Sequence, residues 1–384
     1  MNSRLKIVAD ENMPALDTMF SGFSLKRVAG RTLCAQDIQD ADVLLVRSVT
    51  EVNEALLSSA KHLKMIGTAT IGMDHLDQRY LHDIGIPFFN APGCNAEAVV
   101  DYVLSVIHSL LPKARPLEGV TVGIIGAGNV GGRLYQRLLS ADINTLIYDP
   151  LREAVEGPDA FADLDTVLSK SDVICLHTPL TTAGDFPTYH MIGEPELLRI
   201  KSGALVINAG RGPVIDNQAL SEVLDVRKDL TVALDVWEHE PVVDIELAAK
   251  VALGSPHIAG YSLDGKLRGT YMLRERLTDV LEIDAPKPLI EFLPAAPISS
   301  ITVSDSAQLL DIMAVVYQAF NDDRRFRDSL RQPNQAVCFD QLRKQYPIRR
   351  EFSTLTVNGI VDPKLRQLVS AFGFNLSPII TNVQ

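Results

Sequence analysis

The sequence predicts an α/β fold of two doubly wound parallel-sheet lobes followed by a small C-terminal α+β domain. Two series of short apolar runs of strand length alternate with polar, helix-compatible stretches, the pattern of repeated βα units. A glycine string directly follows the first strand of the second series. The Pro-rich APKPLIEFLPAAPISS (Ala285 to Ser300) then changes the texture and reads as a linker. At 384 residues the chain is long for one core; at about 150 residues per domain, two or three are expected.

In the first series LKIVAD (Leu5 to Asp10), ADVLLVRS (Ala41 to Ser48), LKMIGTAT (Leu63 to Thr70) and IPFFNAP (Ile86 to Pro92) are the strand candidates. After Asn95, read as an N-cap with Glu97 in the first turn, apolar residues recur at Val99, Val103, Val106, Ile107 and Leu110 until Pro112. That spacing predicts a long helix joining two lobes. The second series is TVGIIGAG (Thr121 to Gly128), NTLIYDP (Asn144 to Pro150), SDVICLHTP (Ser171 to Pro179), GALVINAG (Gly203 to Gly210) and LTVALDVW (Leu230 to Trp237), nearly continuously apolar as buried parallel strands are. Beyond the linker, ITVSD, a helix near Ala307 to Phe320, STLTVNG, a helix near Pro363 to Phe372 and FNLSPII make up the small domain.

Composition narrows the function classes. A hydrophobic fraction of 46% with 22% charged residues excludes disorder and fibrous architectures. With 36 Lys and Arg against 48 Asp and Glu the net charge is −12, which argues against nucleic acid or an anionic membrane as partner. The four cysteines, Cys34, Cys94, Cys175 and Cys338, form neither a CxxC metal pair nor a disulfide framework, so no metal and a reducing cytoplasmic setting are expected. The N-terminus lacks a signal-peptide apolar stretch, and the longest apolar region, Ala96 to Leu111, is broken by Glu97, Asp101 and His108.

Gly126-Ala127-Gly128-Asn129-Val130-Gly131 is a GxGxxG string between a strand and a helical stretch, Arg133 to Ser140. In that setting it is a Rossmann-like dinucleotide fingerprint: the glycines let the backbone approach a pyrophosphate at a helix N-terminus. Asp149 ends the next strand, where a carboxylate accepts from ribose hydroxyls, which favours NAD over NADP. Arg152, three residues on, is the cation an NADP preference would use.

Three further segments follow strands of the same series, where such sheets bind ligands. They are Asn208 to Pro213, with Arg211; Asp235 to Pro241, with Glu240; and Ser255 to Tyr261, with His257. Oxidising a 2-hydroxy acid needs a base for the hydroxyl proton, a cation for the carboxylate and a hydride acceptor. An imidazole with a carboxylate partner and an Arg fork match the first two needs. Glu238 and His239 compete with Glu240 and His257, and the residues alone leave that choice open.

On these motifs, NAGRGPVID, LDVWEHEP and SPHIAG, the first 285 residues or so resemble the D-isomer-specific 2-hydroxyacid dehydrogenases. The resemblance implies Arg211, Glu240 and His257 as the catalytic triad. It also implies a substrate-binding lobe from 1–95 and 259–285, an inserted NAD-binding Rossmann domain at 96–258, and a homodimer built by a C-terminal dimerisation domain at 286–384. VRSVTEVN (Val46 to Asn53), GTATIGMDHLD (Gly67 to Asp77), APGCNAEAVVDY (Ala91 to Tyr102) and HIAGYSLDGKLRGT (His257 to Thr270) resemble the branch acting on a small phosphorylated 2-hydroxy acid. The implied reaction oxidises 4-phospho-D-erythronate to 3-hydroxy-2-oxo-4-phosphooxybutanoate on the route to pyridoxal 5′-phosphate. Carried over position by position, Ser48, Thr70 and Tyr261 are implied substrate contacts. Asn129, Val130, Asp149, Thr178, Ala209, Gly210, Arg211, Asp235 and Gly260 join Gly126, Gly128 and Gly131 as implied NAD contacts.

The cation for the substrate phosphate is left open. Arg47 is one candidate; the cluster Arg343, Lys344, Arg349 and Arg350 is another, read in preference as a solvated face. Two rival functions remain: oxidation of 3-phosphoglycerate with a sensing C-terminal domain, and an NAD-binding regulatory scaffold.

Overall fold

Parallel pairing governs every sheet of the computed structural model, which describes residues 5–111 and 119–378. Pro112, the expected end of the long helix, and the last residues of FNLSPII lie outside the described residues. The chain divides into two compact units, residues 1–95 with 262–295, and residues 96–261 with 296–384.

In the first unit β1 (Lys6–Asp10), β2 (Ser24–Val28), β3 (Val43–Val46), β4 (Met65–Thr68) and β5 (Phe88–Phe89) form one sheet, ordered β2-β1-β3-β4-β5. β2 is a polar edge strand that hydrophobic patterning does not reveal. The helix Leu263–Leu281 starts on Ser262, whose Oγ accepts from Gly265 N at 2.8 Å. It buries Leu267, Leu273 and Leu277 against Ile7, Val43, Leu45 and Met65.

The stretch expected to be a linker is anchored instead. Its apolar residues Leu289, Phe292 and Leu293 pack on this core, and the Phe292 ring lies 6.3 Å from that of Tyr271. Proline spacing masked those anchors. The unit boundaries accordingly fall at 261/262 and 295/296, where the sequence placed them at 258/259 and 285/286.

The second unit holds a six-stranded sheet ordered β11-β10-β9-β8-β6-β7. Its strands are β6 (Thr121–Ile125), β7 (Asn144–Tyr148), β8 (Val173–Leu176), β9 (Leu205–Asn208), β10 (Thr231–Leu234) and β11 (Leu253–Gly254). The chain leaves β6 for β7 on one side and then crosses to β8 on the other. That reversal opens a crevice at the carboxyl ends of β6 and β8. Helix α1 (Ala96–Leu110) is buried from Ala98 to Ile107, including Asp101 and Ser105. Asn95 is not its cap, because its Oδ1 is buried without a hydrogen bond. Further helices are α2 (Asn129–Ser140) and α3 (Pro150–Glu156).

The C-terminal segment adds α4 (Leu309–Val316), α5 (Ala319–Leu330), α6 (Gln335–Lys344) and α7 (Pro363–Ala371). A small parallel sheet of β12 (Ser300–Thr302), β13 (Thr356–Asn358) and β14 (Asn375–Leu376) accompanies them. This segment shares its core with the six-stranded sheet. Phe326 of α5 is fully buried, 5.2 Å from the Trp237 ring and 6.4 Å from Phe339 of α6. A side chain at Gly254 of β11 would start 2.8 Å from the Phe326 ring. Asp101 of α1 receives Phe352 N at 2.8 Å and Arg137 Nη1 at 2.7 Å. Arg137 Nη1 also donates to Phe372 O, so one guanidinium ties α2 to the C-terminal segment.

Phe326→Ala removes the aromatic on which this joint is built and is expected to cost about 3–5 kcal/mol. Chemical denaturation of the purified variant should show that loss as an earlier midpoint.

Candidate active site

The carboxyl ends of the six-stranded sheet carry most of the candidate residues on one edge, since its strands run parallel. β6 runs into Gly126, at φ +86°, a left-handed backbone that glycine adopts without strain. A Cβ at Gly131 would lie 2.0 Å from Gly126 O, so the third glycine sets how closely α2 approaches β6, whereas a Cβ at Gly128 would meet nothing within 4 Å. The loop thus leaves open space at Gly128, beside the first-turn N–H groups of α2, which no helix carbonyl reaches. Asn129 is exposed and Val130 half-buried at that turn.

Asp149, after β7, accepts from Ala127 N at 2.9 Å and from Arg152 N at 3.1 Å. It therefore caps α3 and takes one amide of the glycine loop. Each of its oxygens has a second lone pair for a hydroxyl. Arg152 is committed to Glu156, at 2.6 and 2.7 Å, and to Ala127 O at 2.7 Å.

Beyond β8, Thr178 Oγ1 and both ring nitrogens of His177 are buried without hydrogen-bond partners. Burial pushes the His177 imidazole down to about 4, so it stays neutral. Residue patterning does not single out His177; its place directly after β8 is the signal that marks it.

The loop after β9 is folded by Asn208, which is buried. Its Oδ1 receives Gly210 N at 3.1 Å, and its Nδ2 donates to Arg211 O at 3.0 Å. A Cβ at Gly210 would stand 3.2 Å from both Leu176 O and Thr178 O, which seats Ala209 and Gly210 against the end of β8. At Gly212 a Cβ would lie 2.1 Å from Trp237 C and O; the Arg211 loop and the segment leading to Glu240 are thus in backbone contact.

After β10 comes Asp235, buried, with three hydrogen bonds to the next strand's loop. They come from Ser255 Oγ at 2.7 Å, Ile258 N at 2.8 Å and Ala259 N at 2.9 Å. Its carbonyl also accepts His257 N at 2.7 Å. Ser255 is held in turn by Tyr102 Oη at 2.9 Å and, through its carbonyl, by Trp237 Nε1 at 2.9 Å. The clamped loop carries His257 at φ +55°, a backbone that costs a non-glycine residue about 1–3 kcal/mol and needs such support.

His257 Nδ1 lies 2.5 Å from Glu240 Oε1. Burial works to raise the Glu240 pKa, but the His257 ring, its hydrogen bond and Arg343 outweigh it and hold the carboxyl below its ordinary value. The rival acid, Glu238, is occupied elsewhere, 2.6 Å from His190 Nε2 and accepting Asn217 N at 3.0 Å. His239 is exposed. Gly260 and Tyr261 complete the loop, whose turn is closed by Tyr261 N to Ile258 O at 2.8 Å.

Arg47, Ser48 and Thr70 belong to the first unit, just past the neighbouring strands β3 and β4. Ser48 is exposed; Thr70 Oγ1 lies 2.7 Å from Thr68 Oγ1 and donates to Gly72 O at 2.9 Å. The basic cluster is not the solvated face expected of it: Arg349 and Arg350 are buried and Arg343 is half-buried, leaving Lys344 exposed. Arg349 stands 3.9 Å over the Tyr317 ring and donates to Ala98 O.

Residues 108–259 match the family model described as the D-isomer specific 2-hydroxyacid dehydrogenase NAD binding domain, and residues 292–373 match a domain of unknown function. A curated erythronate-4-phosphate dehydrogenase from Pseudomonas putida is 47% identical, covering 96% of this chain and 98% of its own. The chain belongs to the D-isomer-specific 2-hydroxyacid dehydrogenase family. A second erythronate-4-phosphate dehydrogenase, from Pseudoalteromonas translucida, is 43% identical over 97% of this chain and all of its own. Among solved structures, the Aquifex aeolicus D-lactate dehydrogenase complexed with NAD and lactic acid aligns with a TM-score of 0.59 at 26% identity, over 72% of this chain and 94% of that one. The NAD+-bound 3-phosphoglycerate dehydrogenase of Entamoeba histolytica shares the fold, with a TM-score of 0.63 at 22% identity over 73% and 96%.

As a member of this dehydrogenase family the chain is an NAD-dependent oxidoreductase. Its crevice fits that cofactor: open space at Gly128, an unpartnered buried Thr178 hydroxyl, and an acid after β7 whose neighbouring arginine is already paired. Gly131→Ala places a methyl against Gly126 O and is expected to weaken NAD binding at least about tenfold, with an overpacking cost of about 1–3 kcal/mol. Titration calorimetry and thermal unfolding check both.

Proposed function

We propose that this dehydrogenase oxidises 4-phospho-D-erythronate to 3-hydroxy-2-oxo-4-phosphooxybutanoate in pyridoxal 5′-phosphate biosynthesis. The observation that carries the reading is the 2.5 Å His257–Glu240 pair on the same sheet edge as the Arg211 loop. The near full-length likeness to erythronate-4-phosphate dehydrogenases selects the substrate.

Glu240, kept ionised, accepts the Nδ1–H of His257. That leaves Nε2 as the unprotonated nitrogen, able to take the C2 hydroxyl proton. Arg211 binds the substrate carboxylate and stabilises charge on the forming carbonyl oxygen. NAD, when bound, supplies the hydride acceptor. Asp235 holds the His257 loop in place; Ser48, Thr70, Tyr261 and Arg47 are assigned to substrate. The nucleotide contacts are Gly126, Gly128, Asn129, Val130, Gly131, Asp149, Thr178, Ala209, Gly210, Arg211, Asp235 and Gly260. The enzyme is assigned to the cytoplasm on the cysteine spacing of its sequence. The C-terminal domain is assigned to a homodimer on the family resemblance.

Purified enzyme given 4-phosphoerythronate, NAD and a 2-oxo acid to reoxidise retained NADH should form the 2-oxo product, read directly, and should do so in preference to oxidising 3-phosphoglycerate. No product from either acid would refute the reading. His257→Ala is expected to lower kcat by about 10²–10⁴-fold while leaving NAD affinity unchanged. Steady-state kinetics beside calorimetry on the same variant separate the two effects.

A further inference from the structure

A chain of side-chain hydrogen bonds runs through the loop after β4, within the first unit. Thr68, the last residue of β4, is fully buried; its Oγ1 lies 2.9 Å from His75 Nε2 and 2.7 Å from Thr70 Oγ1. Thr70 Oγ1 in turn lies 2.9 Å from Gly72 O. The backbone around these groups is pinned: Thr70 O accepts from Ala91 N at 3.0 Å, Ile71 O from Asn90 Nδ2 at 2.7 Å, and His75 O from Val52 N at 2.8 Å. His75 is buried, whereas Thr70 is only half-buried.

Counting protons fixes the direction of the chain. Each threonine hydroxyl has one proton to give, and a backbone carbonyl only accepts. Were His75 Nε2 an acceptor, two protons would serve three contacts, and one contact would press two lone pairs together. All three are satisfied only when Nε2 carries a proton: His75 donates to Thr68, Thr68 to Thr70, and Thr70 to Gly72 O. Thr70 Oγ1 has then given its one proton and taken another, and holds a single lone pair for a ligand. Such a hydroxyl accepts and cannot donate. It suits a ligand hydroxyl and rejects the oxygens of an ionised carboxylate or phosphate.

We propose that Thr70 selects the substrate by accepting a hydrogen bond from its C3 hydroxyl, and that His75 is a positioning residue that sets the direction of the Thr70 hydroxyl through Thr68. This rests on the substrate and on the roles of Thr70 and His257 given above. The ionised carboxylate and phosphate of 4-phosphoerythronate offer acceptors alone, so its two hydroxyls are its donors. The C2 hydroxyl gives its proton to His257, which leaves the C3 hydroxyl for Thr70. 3-Phosphoglycerate has no second hydroxyl, so the same contact separates the two phosphorylated acids.

Two measurements on the full-length enzyme test this. Nitrogen–proton correlation spectra of the histidine rings, with His75 assigned by its loss in His75→Gln, should show a proton on Nε2; a ring protonated on Nδ1 alone overturns the proposal. The second is kcat/KM, with product detected directly, for 4-phosphoerythronate against 2-hydroxy-4-phosphooxybutanoate of the same C2 configuration, which lacks the C3 hydroxyl. The wild type should favour the hydroxylated acid by about tenfold or more. Thr70→Val should bring that ratio to within about twofold of unity, and Thr70→Ser, which keeps the hydroxyl, should restore most of it. His75→Gln keeps an N–H donor and should hold the ratio within about twofold of the wild type. His75→Leu lets the Thr68 hydroxyl turn away and frees Thr70 to donate, and should lower the ratio by about threefold or more. Should His75→Leu not fold, the ring spectra and the Thr70 pair still decide. A wild type indifferent to the C3 hydroxyl overturns the proposal, as do variants that slow both acids alike, which would make these residues merely structural. A wild-type enzyme that forms no product from 4-phosphoerythronate is a separate result and refutes the functional reading instead.

Discussion

The buried carboxylate of Asp235 is the constraint on which the site depends. Its three side-chain hydrogen bonds reach from the end of one strand to the loop of the next. They hold His257 in a left-handed backbone conformation that an unsupported loop would abandon. A polar side chain so deeply buried is tolerated because those donors replace the water it has lost. The imidazole then meets Glu240 with Nδ1, and the ring's other nitrogen is left for chemistry. A second tier, Tyr102 and Trp237 on Ser255, fixes the serine that fixes the aspartate.

This arrangement explains why the C-terminal segment is part of the nucleotide-binding unit. Phe326 against Trp237 and Gly254 packs α5 onto the strands whose loops bear Glu240 and His257. Arg343 on the next helix touches Tyr261 at the far end of the same loop. Packing and electrostatics therefore meet on a few residues, and substitutions on α5 and α6 are coupled to the site through them.

Much of the fold was legible because buried parallel strands are apolar throughout, and the glycine string sits where a strand meets a helix. β2 and β11 escaped notice for opposite reasons: one is a polar edge, the other two residues long. Asn95 looked like a cap by residue type, yet its side-chain oxygen makes no hydrogen bond. Residue type also misjudges the basic cluster, since Arg349 and Arg350 are buried and Arg349 bonds to Ala98, far off in sequence. The choice between Glu238 and Glu240, open in the sequence, turns on His190 and Asn217, which engage the first and leave the second to His257.

Isotope transfer tests the account most directly. 4-Phosphoerythronate carrying deuterium at C2, turned over once on the full-length enzyme with NAD, should yield NADH one mass unit heavier, bearing the label at the nicotinamide C4. Product formed with unlabelled NADH, the deuterium having passed to water, would contradict it.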